Sequence, residues 1–368
     1  MKIGLDLRML GGGSGIDRYI SELSHEILRQ DRRNQYVLFF KEADKSADYG
    51  QYGHQIVITG IPHYSYAEQF HLPQILRAEK LDLVHFPHFN VPILYRKSFV
   101  VTIHDLTHTL IPGKKKSRWF KRLAYNLVMF NALRSSKKII TVSQSTKNQV
   151  AKFFRIPETK IEVVYEAANP SYKMLDKQAA FEYVSKKFGI SKPYILYVGV
   201  WRRYKNLPNL ALAFDKLKER GLDFQLVLAG EPDLYYPEIK DHVSRITYHE
   251  SLIMPGRVSD EDLLYLYNAA DLFVLPSISE GFGLTVLEAA ACGTPIACSD
   301  ISTLREVMEQ GAEYFDPNNA DNMADVIRDI LSDGKKREEL ANLALSRIRH
   351  FSWKKAAEDT IKIYENVI

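Results

Sequence analysis

LFVLPSISEGFGLTVLEAAACGTPIACS, residues 272–299, decides the fold. Leu272–Leu275 is apolar on both faces, as a strand covered on both sides must be. Pro276 to Gly283 is a loop carrying two glycines. Leu284–Cys292 is an Ala-rich helix, stopped by Gly293 with Pro295 beyond it. Pro295–Cys298 is again a short apolar run. Strand, loop, helix, turn and strand in so little chain make one βαβ unit and a parallel sheet.

The same alternation extends outward in both directions. Upstream, the expected strands are Tyr194–Val200 and Phe224–Ala229; downstream lies Tyr314–Phe315. The first half has its own set: Ile3–Met9, Tyr36–Phe40, Ile56–Thr59, Leu83–Phe86, Phe99–His104, Lys138–Val142 and Ile161–Tyr165. Between strands, Asn206–Arg220 reads as a helix from Leu207, Leu210, Ala211, Phe214 and Leu217, ending at Gly221. Ser259 to Asp262 is a capping box opening Asp260–Ala269. The fold class is therefore α/β, with two doubly wound domains, 1–168 and 169–352, joined through the polar stretch Ala167–Gln178. An amphipathic segment, residues 353–368, follows the second sheet. Two such domains in tandem create a cleft at the carboxyl ends of their strands, where open α/β sheets bind ligands.

Composition narrows the function. The chain has 368 residues, 46% hydrophobic and 26% charged, and 49 Lys and Arg against 45 Asp and Glu give a formal net charge of +4. That charge is too small to indicate a nucleic-acid partner, and none is expected. Two cysteines, Cys292 and Cys298, make no disulfide framework and fit a reducing compartment. The apolar runs fall short of a bilayer span, and Met1-Lys2 leads straight into a strand. A soluble, cytoplasmic protein is expected.

The loop and helix of the opening stretch carry the chemistry. The first N–H groups of a helix lack internal partners, and its dipole adds positive potential. Gly281 and Gly283 let a ligand approach the backbone, so the helix start at Leu284 is an anion site suited to a diphosphate. Glu280 in the loop and Glu288 one turn into the helix suit sugar or ribose hydroxyls. The bland alternative is a solvated Glu280 and a Glu288 that stabilises its own helix. A second set of charges, Arg202, Arg203 and Lys205, follows the strand that ends near Gly199; such cations neutralise charge on a departing phosphate. A solvated basic turn is the alternative there.

Glu280 and Glu288 within S-x-x-E-G-F-G-L-x-x-L-E-A-x-A-C-G-T-P resemble the signature of retaining GT-B glycosyltransferases of family 4. The resemblance extends over most of the chain, through Ser14-Gly-Ile-Asp-Arg-Tyr19, Val101-Thr-Ile-His104-Asp105-Leu106, Thr141-Val-Ser143, Leu196-Tyr-Val-Gly199 with Lys205-Asn206, and Phe351-Ser-Trp353. It implies a GT-B fold: two Rossmann-like domains facing across a cleft, with the last helix crossing back to the first. It implies that Glu288 holds ribose hydroxyls and that Glu280 and the backbone from Gly281 through Phe282 and Gly283 to Leu284 hold the donor sugar. By the same resemblance Leu284 and Thr285 meet the diphosphate, His104 faces the donor sugar, and Val258 lies near the base. Lys205 matches the family lysine. The position directly before it, often arginine, is Tyr204, so Arg202 or Arg203 takes that part. The implied co-substrate is a GDP- or UDP-linked sugar with no metal and no other cofactor, and the resemblance leans towards mannose. The implied acceptor is a glycan or a lipid-linked molecule.

Other motifs compete. Gly11-Gly-Gly-Ser-Gly15 follows the first strand, and the resemblance implies that this loop, with Gly13 and Gly15, borders the diphosphate and the acceptor. The loop also suggests a dinucleotide site, with Glu42 as the ribose acid, but Ile16 occupies the third glycine position. A dinucleotide-dependent oxidoreductase and a non-catalytic partner subunit remain the alternatives. Asp17 stands where relatives often carry glycine. His85 and His88 read as cleft or core histidines rather than metal ligands, and Asp260–Asp262 as a cap. Lys114–Arg122, basic with Trp119 and Phe120, leads into the apolar 123–133 stretch. It fits either peripheral contact with the inner membrane leaflet or a solvated helix start.

Overall fold

The computed structural model describes residues 1–13, 15–111 and 119–367. Within them, residues up to Glu166 together with 351–367 form one compact unit, and Ala167–His350 form another.

The first unit is built on a seven-stranded parallel sheet. Its strands are β1 (Lys2–Asp6), β2 (Gln35–Phe40), β3 (Gln55–Ile58), β4 (Leu83–Phe86), β5 (Phe99–Ile103), β6 (Lys138–Thr141) and β7 (Ile161–Val163). They lie in the order β3-β2-β1-β4-β5-β6-β7. β4 and β5 are buried along their whole length, and their two polar side chains, His85 and Thr102, are hydrogen-bonded to each other. Helix Gly15–Gln30 packs against the last helix, Trp353–Glu365. Ser352 caps that last helix through the N–H of Lys355, and Trp353, Ala357, Ile361 and Tyr364 bury its apolar stripe. Trp353 meets Tyr19 edge-on with ring centroids 6.0 Å apart. Each such large side chain removed from water contributes about 1.5–3 kcal/mol, enough to hold one helix on the unit.

The second unit repeats the plan with six parallel strands. These are β8 (Tyr194–Val198), β9 (Gln225–Ala229), β10 (Leu252–Gly256), β11 (Leu272–Leu275), β12 (Ile296–Ser299) and β13 (Glu313–Phe315), in the order β10-β9-β8-β11-β12-β13. The sequence reading lacks β10. This strand contains Pro255 and ends at Gly256, signals that normally argue against a strand. It survives because it is the sheet edge, where a missing N–H breaks no ladder. Elsewhere the observed strands are trimmed by up to three residues at the carboxyl end relative to expectation, as at β1 and β8. The residues released there, Leu7 to Met9 and Gly199 to Val200, become loop.

In both units the strand order runs outward in two directions from a central pair, β1/β4 and β8/β11. The loops leaving those pairs open a crevice at the carboxyl edge of each sheet.

Candidate active site

In the second unit, β8 delivers Arg202, Arg203 and Lys205, and its neighbour β11 delivers Glu280. Lys205 Nζ donates to Glu280 Oε1 at 2.7 Å, with the two side chains only 15% and 12% exposed. Burial pulls the Lys205 pKa down, but Glu280, with Tyr204 and Tyr197, outweighs it, and the net displacement is upward. A fixed cation therefore stands at the point where the strand order reverses. The backbone around it is tied in place. Ile278 N–H donates to Tyr204 O at 2.8 Å, and Asn206 Nδ2 donates to Pro276 O at 3.0 Å and Pro317 O at 2.7 Å. Thr303 Oγ1 donates to Glu280 O at 3.0 Å.

Helix Leu284–Ala291 starts directly after that loop. Its N-cap is Gly283, at φ 98°, which brings no side-chain oxygen to the first N–H groups, and its first turn holds no acid. A Cβ on Gly283 would lie 2.9 Å from Leu304 Cδ2. Both facts leave the positive end of the helix without an internal anion. One turn on, Glu288 is 1% exposed and accepts from the Tyr267 hydroxyl at 2.9 Å. Gly281, Leu284 and Thr285 are half-buried along this edge, and Phe282 is buried.

The two arginines have different neighbours. Arg202 Nε donates to Asp233 Oδ2 at 2.9 Å, in the loop after β9. Burial lowers the Arg202 pKa, but Tyr204 and Asp233 turn the net displacement upward. Arg203 is more exposed and reaches Glu238 at 3.3 Å, on helix Pro237–Val243. Val258 sits half-buried in the turn between β10 and helix Asp260–Ala269, also on the carboxyl edge.

The first unit brings a second group together. His104 follows β5. Its Nε2 donates to Pro87 O at 2.8 Å, its Nδ1 lies 3.3 Å from Glu166 Oε1, and its ring meets Tyr19 edge-on at 4.6 Å. A carbonyl only accepts, so the Pro87 contact places a hydrogen on Nε2 and orients the ring. In the glycine loop, Gly11 N–H donates to Asp17 Oδ1 at 2.9 Å and Gly13 N–H to Asp17 Oδ2 at 2.7 Å. Of the two glycines expected to border a phosphate, Gly13 thus donates its N–H to the chain's own carboxylate, and Gly15 is the first residue of its helix. Ser14 lies outside the described residues.

Other sequence candidates resolve into structure. His85 is buried, its Nδ1 2.6 Å from the Tyr364 hydroxyl and its Nε2 2.9 Å from Thr102 Oγ1. Ser259 and Asp262 form the capping box. Cys292 and Cys298 are buried, and burial pushes the Cys292 thiol up to about 12 and Cys298 likewise upward. Among the described residues, no cluster of three His, Cys, Asp or Glu side chains could hold a metal ion. Nor is any helix among them long and apolar enough to cross a membrane. In the basic cluster, Lys114 to Arg118 lie outside the described residues, as do the side chains of 119–121, while Arg122 is exposed.

Sequence reasoning missed Glu166, Tyr267 and Asp233, the partners of His104, Glu288 and Arg202. Each lies between 21 and 62 residues from its partner. No local spacing signals such a pair; only the strand order brings its members together.

Comparison with known proteins bears on family and fold. The family model described as Glycosyl transferases group 1 matches residues 182–347, and that described as Glycosyltransferase Family 4 matches 13–172. The chain is similar to O-antigen chain mannosyltransferase B of Escherichia coli, 31% identical over 294 residues, 79% of this chain and 76% of that protein. It is also similar to O-antigen chain mannosyltransferase RfbU of Salmonella typhimurium, 26% identical over 73% of this chain and 70% of that protein. Its fold resembles that of sucrose-phosphate synthase from Thermosynechococcus elongatus, with a TM-score of 0.81 at 18% identity, covering 100% and 99% of the two chains. It resembles Anabaena HepE in complex with UDP and glucose, at a TM-score of 0.76, 17% identity and full coverage of both chains. Two doubly wound parallel sheets, the matched models and the 31% relative together place this chain in the group 1 glycosyl transferases, glycosyltransferase family 4, with a GT-B fold.

Proposed function

We propose that the enzyme transfers a hexose, mannose in the first instance, from a nucleoside-diphosphate sugar to a hydroxyl of a glycan or lipid-linked acceptor in polysaccharide assembly, with retention of anomeric configuration and without a metal. One observation carries the reading: the Lys205–Glu280 pair stands at the reversal of strand order, directly before a helix N-terminus with no anion of its own. The names of the two mannosyltransferase relatives support the choice of sugar.

In this reading the diphosphate rests on the N–H groups of Leu284 and Thr285. Lys205 and Arg202 offset the negative charge that grows as the sugar C1–O bond breaks and its electron pair goes to the leaving phosphate. Glu280, oriented by Lys205, accepts from hydroxyls of the donor sugar, and Glu288, oriented by Tyr267, from the ribose. The acceptor oxygen bonds to C1 on the face the phosphate leaves, through an oxocarbenium-like state, and its proton passes to a departing phosphate oxygen. No protein nucleophile is assigned.

Thermal unfolding with GDP, UDP, ADP and NAD, each in EDTA, tests donor and metal together. A ligand at a hundred times its Kd adds about 2.7 kcal/mol. Stabilisation by GDP or UDP in EDTA supports the reading; stabilisation by NAD alone returns the oxidoreductase alternative; no stabilisation by any of them counts against a donor site. The proton spectrum of the product made from an α-linked donor tests retention, and a β-glycoside refutes it.

A membrane-surface role is favoured by helix Trp119–Ser135, where Leu123, Leu127 and Phe130 are exposed just beyond the basic cluster. We propose that this face meets the cytoplasmic leaflet. Replacing Lys114, Lys115 and Lys116 with Glu should abolish co-sedimentation with anionic liposomes, and unchanged sedimentation ends the idea.

A further inference from the structure

A row of aromatic rings runs along the carboxyl edge of the first sheet. Tyr19 meets His104 at 4.6 Å, His104 lies 6.5 Å from His88 with planes 28° apart, and His88 lies 6.3 Å from Tyr64. Phe89 supports the far end, 4.2 Å from His88 and 6.4 Å from Tyr64. The row begins in the core and ends on Tyr64, which is 66% exposed. Two residues on, Tyr66 is more exposed still.

Tyr64 is held there against its own preference. Its φ is 57°, in the left-handed region that a bulky L-residue occupies at a cost of about 1–3 kcal/mol. Its N–H donates to Glu68 Oε2 at 2.8 Å. Glu68 is fully buried, and its Oε1 accepts from Arg8 Nη2 at 2.8 Å. Arg8, also buried, forms a two-pronged pair with Asp6 at 2.8 Å on each prong. His63 Nε2 donates to Arg8 O at 2.6 Å. A buried cluster of charges thus fixes one strained turn whose outward feature is a phenol ring. Packing on His88 and Phe89 leaves the residue 66% exposed, so burial alone does not explain the strain. Strain kept in place by its surroundings marks a functional position.

We infer that Tyr64 is an acceptor platform, with the buried rings behind it as its support, and that its occupant is a neutral saccharide of at least two pyranose rings, one stacked on Tyr64 and the next presented towards His104. This rests on the reading of the chain as a transferase acting on a glycan. The C–H bonds on one face of a pyranose carry partial positive charge and fit the negative face of an aromatic ring. Tyr64 and Tyr66, both exposed, each carry a hydroxyl beside a ring face, which suits a sugar and not an acyl chain. The charged side chains beneath it, Arg8, Asp6 and Glu68, are buried, and two carboxylates stand against one guanidinium, so the cluster does not select an anion.

The test is saturation-transfer NMR on the full chain with a panel of neutral disaccharides, mannobioses and N-acetylglucosamine-containing ones, beside dodecyl phosphate. Tyr64→Gly deletes the ring and suits the left-handed backbone, so the variant should fold; Tyr64→Phe keeps the ring. At least one disaccharide should bind the unaltered protein, bind at least five-fold more weakly to Tyr64→Gly, and recover with Tyr64→Phe. Stabilisation by GDP or UDP should be the same in all three proteins. No disaccharide bound by the unaltered protein, equal binding by Tyr64→Gly, or Tyr64-dependent binding of dodecyl phosphate alone would each overturn the inference. Loss of the nucleotide effect in the unaltered protein would instead strike the transferase reading, which the disaccharide arm leaves untouched.

Discussion

Replacing Glu280 with Gln strands the Lys205 ammonium. The pair is short, 2.7 Å, and each side chain is less than a fifth exposed. The upward displacement of the Lys205 pKa depends on Glu280 outweighing burial. Without the carboxylate, burial has only Tyr204 and Tyr197 to oppose it. Removing one partner of a buried pair costs about 3–5 kcal/mol. The residual exposure admits some water, so the lower end, about 3 kcal/mol, is expected for Glu280→Gln. For a unit of this size that corresponds to about 6–12 °C in Tm. Lys205→Met should cost a similar amount, because it strands Glu280 instead. The double variant leaves no lone charge and should recover at least about 2 kcal/mol of the summed losses. Urea unfolding followed at Trp201, buried four residues before Lys205, in a background with the other two tryptophans changed to Phe, gives all four corners of the cycle. Single variants each within about 0.5 kcal/mol of the parent, with additive effects, would show an ordinary solvated surface bridge and refute the argument.

Three further outcomes follow from the geometry. Burial lowers the His85 pKa from 6.5 to about 3, so between those values the unfolded chain takes up a proton that the folded chain refuses. Stability should be full above pH 6.5 and fall by about 1.4 kcal/mol per pH unit below it; Tm against pH should lose that component in His85→Gln, and identical slopes would refute the assignment. A Cβ on Gly230 would lie 2.1 Å from Gly199 O, so Gly230→Ala should cost about 3 kcal/mol or prevent folding, while Gly50→Ala, with nothing within 4 Å, should unfold with the parent. Native protein should leave both cysteines unreacted with a thiol reagent at pH 8, and guanidinium should release two thiols; fast reaction of Cys292 in the folded state would contradict its upward displacement to about 12.

Much of this architecture was legible in the chain because its signals are local. Apolar runs mark most of the strands, glycine and proline mark the helix ends, and the two glycines from Pro276 to Gly283 mark the loop before helix Leu284–Ala291. Lys205 and Glu280 were legible singly, each just past a strand; their bond was not, because it depends on β8 lying beside β11. The same holds for His104 with Glu166 and for Glu288 with Tyr267. β10 was hidden by Pro255, which only an edge position tolerates. Asp17 was noticed as an odd residue, but nothing in its spacing announced that both its oxygens would turn back onto Gly11 and Gly13. Tyr64 was invisible for another reason: a left-handed turn held by Arg8 and Glu68 has no local sequence signature without glycine or asparagine.

The last helix, Trp353–Glu365, belongs to the unit that begins at Met1, and this sets an order of birth. On the ribosome, every residue of the second unit has emerged before the first unit receives the helix that covers Tyr19 and His85. The later unit can close while the earlier one waits, its helix Gly15–Gln30 still showing the face that Trp353 will occupy and its His85 still without Tyr364. A nascent chain halted before residue 351 should therefore hold a finished second unit and an unfinished first one, the reverse of the usual first-made, first-folded sequence.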